Sequence, residues 1–598
     1  MKLCINLLPL ESAIEEAKAE EMAASYAADG EPVGKKTKTS GGGVLDPALF
    51  GDARCAALRR TYEAATPFPH VVVENLGLEA PMERARLEAI GELKADYKET
   101  DLFKVYQVPQ DLGTIERTAP ELAAKAPALL RLRDALYSAE TKRLVERVTG
   151  CGPIGDAVDC SANVYARGGH LLCHDDVIGD RLVSYVLYLT EPEGWSADDG
   201  GSFEFYALGA DGEPEAAPCA RVAPAWNSLM LFRVEPSASF HSVQEVYGDK
   251  PRLTISGWYH ARDGRDGAAS RASLAELTRP AAPRTFSRFA GDDDGDDDAL
   301  SDADLDALRA WVSPVYLDPA TWPKLKDHFA ESSAAQLGGF VREDVAAALA
   351  AAGAAADAAD GFDGRGPQPD DAAGVGGGWA LRGPPHKRRH LELAGAGGAD
   401  GSPAALLARV RADASGAPFR RLVRELVGVR PVGQDVAARR FRPGCDYTVA
   451  HGATGCDEPR LDLTFCFLSH ADPAAFDADV WACGDYGGFE TYVEADGGGG
   501  RADVYEGDAG EGRDDGGDLL SVEAAHNTLS VVLRDPGTLR FVKYLSVEAP
   551  GSRWDLEMVC ELHPDDHPDP DAGDDVSEDE SRVYLTYATF GVGGEDGA

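Results

Sequence analysis

Residues 171–182 read LLCHDDVIGDRL and place a histidine directly before two aspartates, at the start of an apparent strand. Burying three titratable groups in a row is costly unless something holds them. On an extended chain, the side chains of His174 and Asp176 point to one face and that of Asp175 points to the other. The spacing therefore predicts His174 and Asp176 as a metal-ligand pair, with Asp175 solvated or locally hydrogen-bonded.

Short β-rich segments surround this stretch. From residue 162 to 260, runs of β-branched and aromatic residues alternate with Gly, Pro and Asp, which is typical of a β-sandwich or barrel. The last run is RLTISGWYH, in which Arg252, Thr254 and Ser256 share one face. A guanidinium and a hydroxyl can therefore converge there on one carboxylate.

A third metal ligand has to come from outside the His-x-Asp pair. An imidazole and a carboxylate make up two-thirds of the 2-His-1-carboxylate triad, which leaves three positions open on a non-haem Fe(II). His241, in SFHSV, follows at a suitable distance. A lone histidine of this kind is more often a satisfied core residue, and only its combination with His174, Asp176 and Arg252 favours a ligand.

Other histidines offer weaker alternatives. We interpret His170 as a loop residue and His260 as capping the end of its strand. The His-x-Asp spacing also recurs at three further pairs, of which the last two lie in an acidic, proline-containing segment and reflect composition. These pairs are His470/Asp472, His563/Asp565 and His567/Asp569.

An internal repeat links the two halves of the chain. HDDVIGDRLVSYVLYLT aligns with HGATGCDEPRLDLTFCFLS, GGSFEFYALGADG with GGFETYVEADGGG, and NSLMLFRVEPSASFHSV with NTLSVVLRDPGTLRFVK, in the same order. Three ordered matches predict two copies of one β-fold. In the second copy, His451 and Ala453 stand where the first has His174 and Asp176. Arg540 or Phe541 matches His241, so we expect no metal there and a role in stability or substrate docking.

Composition narrows the partners and the compartment. The net charge of −44 argues against a binder of nucleic-acid phosphates and suits a basic protein partner. The eleven cysteines include no Cys-x-x-Cys pair, so neither a disulfide framework nor a thiolate zinc site is indicated. No stretch approaches the ~20 apolar residues of a membrane-spanning helix. We therefore expect no membrane association and a location in the cytoplasm, the nucleus or both.

Taken together, His174, Asp176, His241 and Arg252 come in the order used by the Fe(II)/2-oxoglutarate-dependent prolyl hydroxylases, which the sequence resembles. The resemblance narrows to the ribosomal prolyl hydroxylases and covers about residues 66–544. It is carried by PFPHVVVENL, KETDLFKVYQ, LLCHDD, FHSVQEV, RLTISGWYH, VSPVYL, FAESSAAQL and WALRGPPHKRR. The motifs are specific in combination, although single ones are not.

This resemblance implies a mixed, mainly β fold with flanking helices and two tandem double-stranded β-helix domains of the jelly-roll or cupin-like kind. Acidic and Ala/Gly-rich stretches are interpreted as insertions. The expected organisation is a disordered tail (1–45), a catalytic domain (46–265), an acidic linker (266–303) and a degenerate, non-catalytic domain (304–598), with disordered insertions near 347–378, 494–518 and 564–581.

The resemblance also implies the chemistry. His174, Asp176 and His241 hold Fe(II), which binds 2-oxoglutarate and dioxygen, and Arg252 pairs with the far carboxylate of 2-oxoglutarate. Tyr165, Tyr188 and Thr254 are expected to line the co-substrate pocket, although ordinary core packing is an equally open interpretation of both tyrosines. Ascorbate is the expected reductant.

The implied substrate is a proline, hydroxylated at C3, in a basic decoding-centre protein of the small ribosomal subunit, with an effect on translation. A homodimer is also possible. Two alternatives stay open: the same oxygenase chemistry on another residue, such as lysyl hydroxylation or demethylation, and a catalytically idle scaffold that recruits translation or nuclear partners. The basic run PPHKRRH is either a nuclear-import signal or a surface patch.

Overall fold

The fold is described from a computed structural model of the chain. It covers residues 43–93, 95–262, 284–291, 299–362, 370–395, 398–451, 456–470, 481, 486–494, 518–567 and 589–590. Most of the predicted tail and linker, and the predicted insertions over 495–517 and 568–581, lie outside these ranges. So do Ala453, Asp472 and Asp569.

The first barrel combines flanking helices with one continuous sheet. Its helices are α1 (Asp52–Ala64), α2 (Glu79–Gly91), α3 (Ile115–Thr118), α4 (Pro120–Lys125), α5 (Pro127–Leu136) and α6 (Ala139–Thr149). Its strands are β1 (His70–Glu74), β2 (Asp96–Glu99), β3 (Phe103–Gln107), β4 (Asp159–Tyr165), β5 (His170–His174), β6 (Arg181–Tyr188), β7 (Phe203–Phe205), β8 (Ala220–Val222), β9 (Ser228–Arg233), β10 (His241–Val243) and β11 (Arg252–His260).

The strand order identifies this sheet as a jelly roll. The order is β1-β9-β6-β11-β4-β3-β5-β10-β7-β8, with β2 paired to β3. Because β3 pairs with both β4 and β5, it joins a large sheet built on β9-β6-β11-β4 to a small sheet built on β5-β10-β7-β8. All of these pairings are antiparallel, so the polypeptide folds back on itself as a double-stranded β-helix.

Helix α6 illustrates how the helices pack against the large sheet. Ser138 caps its first turn, since the side-chain oxygen accepts a hydrogen bond from the backbone N–H of Thr141 at 3.2 Å. Gly150 ends the helix in the left-handed conformation at φ +67°. Leu144, Val145 and Val148 are buried on one face, so the apolar spacing fixes which side meets the core.

The second barrel repeats the first. Its helices are α7 (Asp302–Leu308), α8 (Trp322–Ser332), α9 (Glu343–Asp360), α10 (Pro403–Ala414) and α11 (Ala417–Val427). Its strands are β12 (Ala334–Gly338), β13 (Trp379–Arg382), β14 (Arg388–Leu393), β15 (Pro431–Phe441), β16 (Tyr447–Thr448), β17 (Arg460–Leu468), β18 (Glu490–Glu494), β19 (Asp518–Val522), β20 (Thr528–Arg534), β21 (Thr538–Val542), β22 (Arg553–Leu562) and β23 (Thr589–Phe590).

Strand order and one equivalent asparagine in each barrel confirm the predicted repeat. The run β15-β22-β17-β20-β12 mirrors β4-β11-β6-β9-β1, and β19-β18-β21 mirrors β8-β7-β10. Asn227 and Asn527 precede equivalent strands at φ +56° and +53°. The side-chain amide of Asn227 bonds the backbone N–H and carbonyl of Gly77, each at 2.9 Å, and that of Asn527 does the same with Val341 at 3.0 Å. The fold class predicted from the sequence is therefore confirmed.

The alanine-rich stretch predicted as a disordered insertion near 347–378 is wrong over its first half. Residues 343–360 form helix α9, because alanine has the highest intrinsic helix propensity and low complexity does not prevent helix formation. Asp357 on this helix is fully buried and accepts a hydrogen bond from the Arg440 guanidinium at 2.7 Å and one from the backbone N–H of Ser552 at 2.8 Å. These bonds tie the helix into the second barrel.

The predicted linker 266–303 is also partly structured. Ser287 exchanges backbone hydrogen bonds with Gln434, each at 2.8 Å, and the N–H of Ala290 donates to Ser415. The described part of this segment therefore packs on the second barrel. The predicted insertion near 564–581 likewise begins with a short 3₁₀ helix, Pro564–Asp566, held by ion pairing of Asp566 with Arg430.

The two barrels meet at a buried carboxylate. Glu245 follows β10 of the first barrel and is 1% exposed. Its carboxylate accepts hydrogen bonds from the Ser546 hydroxyl at 2.5 Å, the Val547 backbone N–H at 2.8 Å and the Tyr544 hydroxyl at 3.2 Å, all from the second barrel. Burial raises the pKa of Glu245 to about 7, even though these three donors oppose the shift.

The interface should therefore be more stable at acidic pH. A carboxyl pKa raised on folding means that the native state holds the proton more tightly, so stability falls as pH rises from the unfolded pKa of about 4.3 to the folded pKa of about 7. The full shift corresponds to about 4 kcal/mol. Thermal unfolding of the natural chain and of Glu245→Gln at about pH 5 and about pH 8 checks this. The natural chain should lose more stability than the variant, and parallel pH profiles would contradict the interpretation.

Candidate metal centre

Two neighbouring strands bring the two predicted histidine ligands together. His174 is the last residue of β5 and His241 is the first residue of β10, and the antiparallel register places them directly opposite each other. Their ring centroids lie 4.2 Å apart. Residues separated by 67 positions in the sequence thus meet because the small sheet pairs β5 with β10.

Asp176 joins them by a route that sequence reasoning missed. The strand alternation invoked for His174 and Asp176 is wrong as a mechanism, because β5 ends at His174 and Asp176 has a left-handed backbone with φ +64°. Besides glycine, aspartate is one of the few residues that adopt this left-handed conformation readily. The turn carries the carboxylate back toward the imidazoles, so the structure brings the predicted residues together through this turn and not through strand alternation.

The three side chains form a compact set of ligand atoms. Nε2 of His174 lies 3.2 Å from Oδ1 of Asp176, and Nε2 of His241 lies 3.4 Å from Oδ2. One ligand atom from each residue falls within 4.8 Å of the others. Among the described residues, no second group of three or more His, Cys, Asp or Glu side chains has this arrangement.

Backbone carbonyls fix both imidazoles in the orientation that a metal needs. Nδ1 of His174 bonds the carbonyl of Leu172 at 2.8 Å, and Nδ1 of His241 bonds that of Ser239 at 2.7 Å. A carbonyl only accepts, so Nδ1 carries the proton and the lone pair is left on Nε2, facing Asp176. The residues present therefore fit a divalent cation with two imidazoles and one carboxylate.

Electrostatics favours a charged carboxylate at this site. Burial alone raises the pKa of Asp176, but the neighbouring His241 and His174 outweigh burial and hold it well below its usual range. Burial likewise lowers the pKa of His174, and hydrogen bonding and attraction to Asp176 reverse this and raise it.

Aromatic rings wall the site on the side of His241. The imidazole of His241 stacks on Phe203 with centroids 4.9 Å apart, and its edge meets Phe232 at 4.8 Å. The side chain of His241 is 4% exposed, whereas that of His174 is 20% exposed. Access from solvent is therefore through the His174 side.

Arg252 forms a buried cationic cradle in the same barrel. It is 1% exposed, and its Nε donates to the Gly201 carbonyl at 2.7 Å. Among the described residues, Nη2 of Arg252 and the hydroxyls of Tyr188 and Thr190 have no hydrogen-bond partner. Such buried orphans are costly unless a ligand meets them, and a carboxylate matches all three donors.

Gly201 is required where the Arg252 side chain passes. Its φ is +65°, and a Cβ built there would lie 3.0 Å from Cδ of Arg252 and 3.2 Å from Trp195. Any side chain would push against the arginine and strain the backbone. The glycine thus lets its own carbonyl approach Arg252 closely.

The other predicted pocket residues surround Arg252. Tyr165 is paired with it across β4 and β11, and Thr254 is buried opposite Tyr188 on β6. The guanidinium carbon lies 5.0 Å from the Tyr165 ring centroid and 5.2 Å from that of Tyr188. Burial raises the pKa of Tyr165, Arg252 lowers it and Asp176 raises it further, so the charges of both Arg252 and Asp176 act on the Tyr165 hydroxyl.

Thr190 was missed by sequence reasoning. Tyr188 of β6 pairs with Thr254 of β11. Continuing this antiparallel register by two residues places Thr190 opposite Arg252. Thr190 is 1% exposed and carries one of the unpartnered hydroxyls. A threonine just past a strand gives no sequence signal of its own, since only the pairing with β11 brings it to the arginine.

The remaining predicted polar residues have structural partners. The Asp175 carboxylate accepts hydrogen bonds from the backbone N–H groups of Val177 and Ser237, each at 3.1 Å, as expected for local bonding. Ser256 accepts a hydrogen bond from the Asn163 side chain at 2.7 Å. His260 ends β11 as predicted, but its imidazole contacts the carboxylate of Asp180 at 2.6 Å.

The loop assignment of His170 is wrong. His170 is the first residue of β5, and its Nδ1 bonds the Gly168 carbonyl at 2.9 Å. Its ring lies 4.3 Å from that of Tyr544 in the second barrel. The two glycines before it suggested a loop, but they only shape the turn that enters the strand.

The second barrel fills the equivalent position with ion pairs. Strand register identifies Phe541 as the counterpart of His241. His241 pairs with the residue after Glu204, and Phe541 pairs with the residue after the equivalent Glu490. Arg540 beside it is buried and bonded to Glu490 and to the Thr464 hydroxyl. Neither Phe541 nor Arg540 can serve as a metal ligand.

The counterpart of Arg252 in the second barrel has an ion-pair partner within that barrel. Arg553 begins β22 as Arg252 begins β11, and it donates to the carbonyl of Gly488, a positive-φ glycine like Gly201. Two residues later, where the first barrel has Thr254, Asp555 supplies a carboxylate 3.0 Å from Arg553. The second barrel thus neutralises its own arginine.

Comparison with known proteins decides the family. Residues 160–260 match the model described as the 2OG-Fe(II) oxygenase superfamily, and residues 303–567 match "Oxoglutarate and iron-dependent oxygenase degradation C-term". The chain is 35% identical over 505 residues to "Prolyl 3,4-dihydroxylase OGFOD1" of Ostreococcus tauri, covering 83% of this chain and 94% of that protein. The chain belongs to the OGFOD1 family of prolyl hydroxylases.

Two further relatives are named as prolyl 3-hydroxylases. This OGFOD1-family chain is 28% identical to "Prolyl 3-hydroxylase sudestada1" of Drosophila melanogaster, over 77% of each chain. It is 30% identical to "Prolyl 3-hydroxylase OGFOD1" of Xenopus laevis, over 48% of this chain and 50% of that protein. A solved prolyl hydroxylase from Trichoplax adhaerens, in complex with a hypoxia inducible factor peptide, matches 37% of this chain and 92% of its own at 16% identity and a TM-score of 0.27.

Family membership establishes the class of reaction. The protein is a 2-oxoglutarate-dependent prolyl hydroxylase that uses Fe²⁺, 2-oxoglutarate and O₂ and acts on a protein substrate. This favours catalysis over the idle scaffold considered from the sequence. None of the helices within the described ranges has the length and apolar character needed to cross a bilayer.

Proposed function

We propose that this enzyme hydroxylates C3 of a prolyl residue in a basic, decoding-centre protein of the small ribosomal subunit. Support for the chemistry comes from relatives named prolyl 3-hydroxylase and prolyl 3,4-dihydroxylase. Support for a basic substrate comes from the net charge of −44, which steers cationic partners toward the enzyme. Lysyl hydroxylation and demethylation, the alternatives considered from the sequence, are disfavoured because the chain belongs to a family of prolyl hydroxylases.

In this proposal, His174, Asp176 and His241 hold Fe²⁺, and Arg252, with the hydroxyls of Tyr188 and Thr190, receives the far carboxylate of 2-oxoglutarate. The observation that carries the proposal is the presence, in one barrel, of a three-ligand set and of a buried arginine whose Nη2 has no partner among the described residues. Bound iron and 2-oxoglutarate supply oxidative decarboxylation coupled to C–H hydroxylation. The protein contributes orientation and exclusion of water.

The second barrel is proposed to be non-catalytic, since its counterparts of His241 and Arg252 are Phe541 and the internally paired Arg553. Ascorbate as reductant, an effect on translation, homodimer formation and location in the cytoplasm or nucleus stay predictions.

Mass spectrometry of small-subunit ribosomal proteins incubated with the enzyme, Fe²⁺ and 2-oxoglutarate tests the substrate. We expect one proline in one protein to gain the mass of one oxygen atom, or of two if the product resembles that of a 3,4-dihydroxylase. NMR of the modified peptide places the hydroxyl at C3. Oxygen on lysine, or loss of a methyl group, would select an alternative, and 2-oxoglutarate turnover without any modified ribosomal protein would reject the substrate.

A further inference from the structure

The strand that ends in His174 contains an irregularity that faces the second barrel. His241 pairs with His174 and Val243 pairs with Leu171, so β5 has one residue more than β10 over the same length. Such a bulge re-aims the side chains around it and is frequent beside active sites. Here, it separates Leu171, which packs in the first barrel with Tyr165 and Val243, from Leu172, which packs elsewhere.

The side chain of Leu172 packs into the second barrel. It is 4% exposed and belongs to an apolar cluster with Tyr447, Val449 and Tyr544, which we call the Leu172 clamp. Tyr447 is itself fixed, because its hydroxyl donates to the Pro385 carbonyl at 2.7 Å. Tyr544 is fixed by its hydrogen bond to Glu245 and by its contact with His170.

The same residue orients the metal ligand. The carbonyl of Leu172 accepts the Nδ1 hydrogen bond of His174 at 2.8 Å, and this bond sets the tautomer and the direction of Nε2. The carbonyl that orients His241 belongs to Ser239, whose hydroxyl bonds carbonyls of the first barrel at 2.9 Å and 3.1 Å. The backbone N–H of Leu172 donates to the Leu102 carbonyl of the first barrel at 2.8 Å, while its side chain packs on the second barrel. His241 is therefore oriented within its own barrel, and His174 through a residue whose side chain is seated by the second barrel.

We propose that the second barrel positions His174 through the Leu172 clamp, so that Tyr447, Val449 and Tyr544 are positioning residues of the metal centre although they supply no ligand. The inference rests on the proposed role of His174 as a ligand. The proposal gives the non-catalytic barrel a defined role. That barrel packs against the bulge at Leu172, and the Leu172 carbonyl directs the His174 imidazole toward the metal. Partners that orient metal ligands typically change metal affinity about 10–100-fold when they are removed.

The affinity of the full-length protein for Mn²⁺, measured from the electron paramagnetic resonance signal of the free ion, tests this. We expect Tyr447→Leu to bind Mn²⁺ at least about tenfold more weakly than the natural chain, and the milder Val449→Ala to weaken binding in the same direction. Leu172→Ala should reproduce the effect. Combined with Tyr447→Leu it should add little, because the two changes break one chain of contacts.

Tyr316→Leu is the matched control. Tyr316 is also a buried tyrosine of the second barrel whose hydroxyl donates to a backbone carbonyl, that of Gly338 at 2.6 Å, but it packs in the core away from the interface. It should lower the melting temperature as Tyr447→Leu does while leaving Mn²⁺ affinity unchanged. Equal Mn²⁺ affinity of Tyr447→Leu, Val449→Ala and the natural chain overturns the inference. Failure of the natural chain to bind Mn²⁺ overturns the proposed metal site itself, and the inference with it.

Discussion

Asp176→Asn is expected to reduce 2-oxoglutarate turnover by about 1000-fold or more while both barrels stay folded. The change removes the single anionic ligand between two imidazoles, and metal chemistry worth ~4 kcal/mol or more corresponds to that factor. Asparagine keeps the shape of the side chain and also tolerates the left-handed backbone that residue 176 adopts at φ +64°. Loss of activity can therefore be separated from backbone strain, which Asp176→Ala would add.

Turnover is measured as succinate formed from 2-oxoglutarate, with circular dichroism and the melting temperature reporting the fold. His174→Ala should behave in the same way. His260→Gln is the control, because His260 also contacts carboxylates in the first barrel, Asp180 at 2.6 Å and Asp159 at 3.3 Å, yet lies at the far end of β11. It should keep turnover near the natural level. Undiminished turnover in Asp176→Asn would contradict the assignment of the site.

Arg252→Gln is expected to raise the KM for 2-oxoglutarate about 100-fold. A charge-assisted contact of a buried guanidinium with a carboxylate contributes up to about 3 kcal/mol, and each 1.4 kcal/mol is about a factor of ten in affinity. Glutamine keeps a donor but loses the charge and the planar fork. Arg252→Lys keeps the charge without the fork and should give an intermediate KM.

Steady-state kinetics against 2-oxoglutarate, and the rise in melting temperature on adding it, measure this effect. Arg133→Gln is the matched control, because it also removes a buried arginine. Arg133 is 7% exposed and bonded to Glu116 at 2.6 Å in the helical layer. That variant should lose stability without a change in KM. A KM for 2-oxoglutarate that is the same in Arg252→Gln as in the natural chain would show that the far carboxylate binds elsewhere.

Much of the fold could be predicted because the jelly roll is repeated. A single strand-rich segment carries little information, but three segments in the same order predict a common architecture, and the equivalent Asn227 and Asn527 show how far the likeness extends. The alanine-rich stretch is different, because its low complexity predicts disorder whereas the helix propensity of alanine favours the helix that forms. Its helix is held in place by Asp357 and Arg440, whose pairing joins residues 83 positions apart.

The site residues were predictable as types but not as geometry. His174, Asp176 and His241 are distinctive in combination, whereas the turn at Asp176 and the bulge before His174 depend on pairing between distant strands. Thr190 and Leu172 carry no signal in the sequence. Thr190 becomes relevant because it lies opposite Arg252, and Leu172 because it packs against Tyr447. Their roles therefore depend on long-range contacts, which the hydropathy pattern does not show.

The central claim is that three side chains of the first barrel hold one divalent cation. Anomalous diffraction from crystals of the full chain soaked with Mn²⁺ tests it most directly. We predict one strong anomalous peak bonded to Nε2 of His174, Nε2 of His241 and the Asp176 carboxylate, and no peak at Phe541 and Arg553 in the second barrel. An absence of density among the three side chains at saturating Mn²⁺, or a peak in the second barrel alone, would contradict the account.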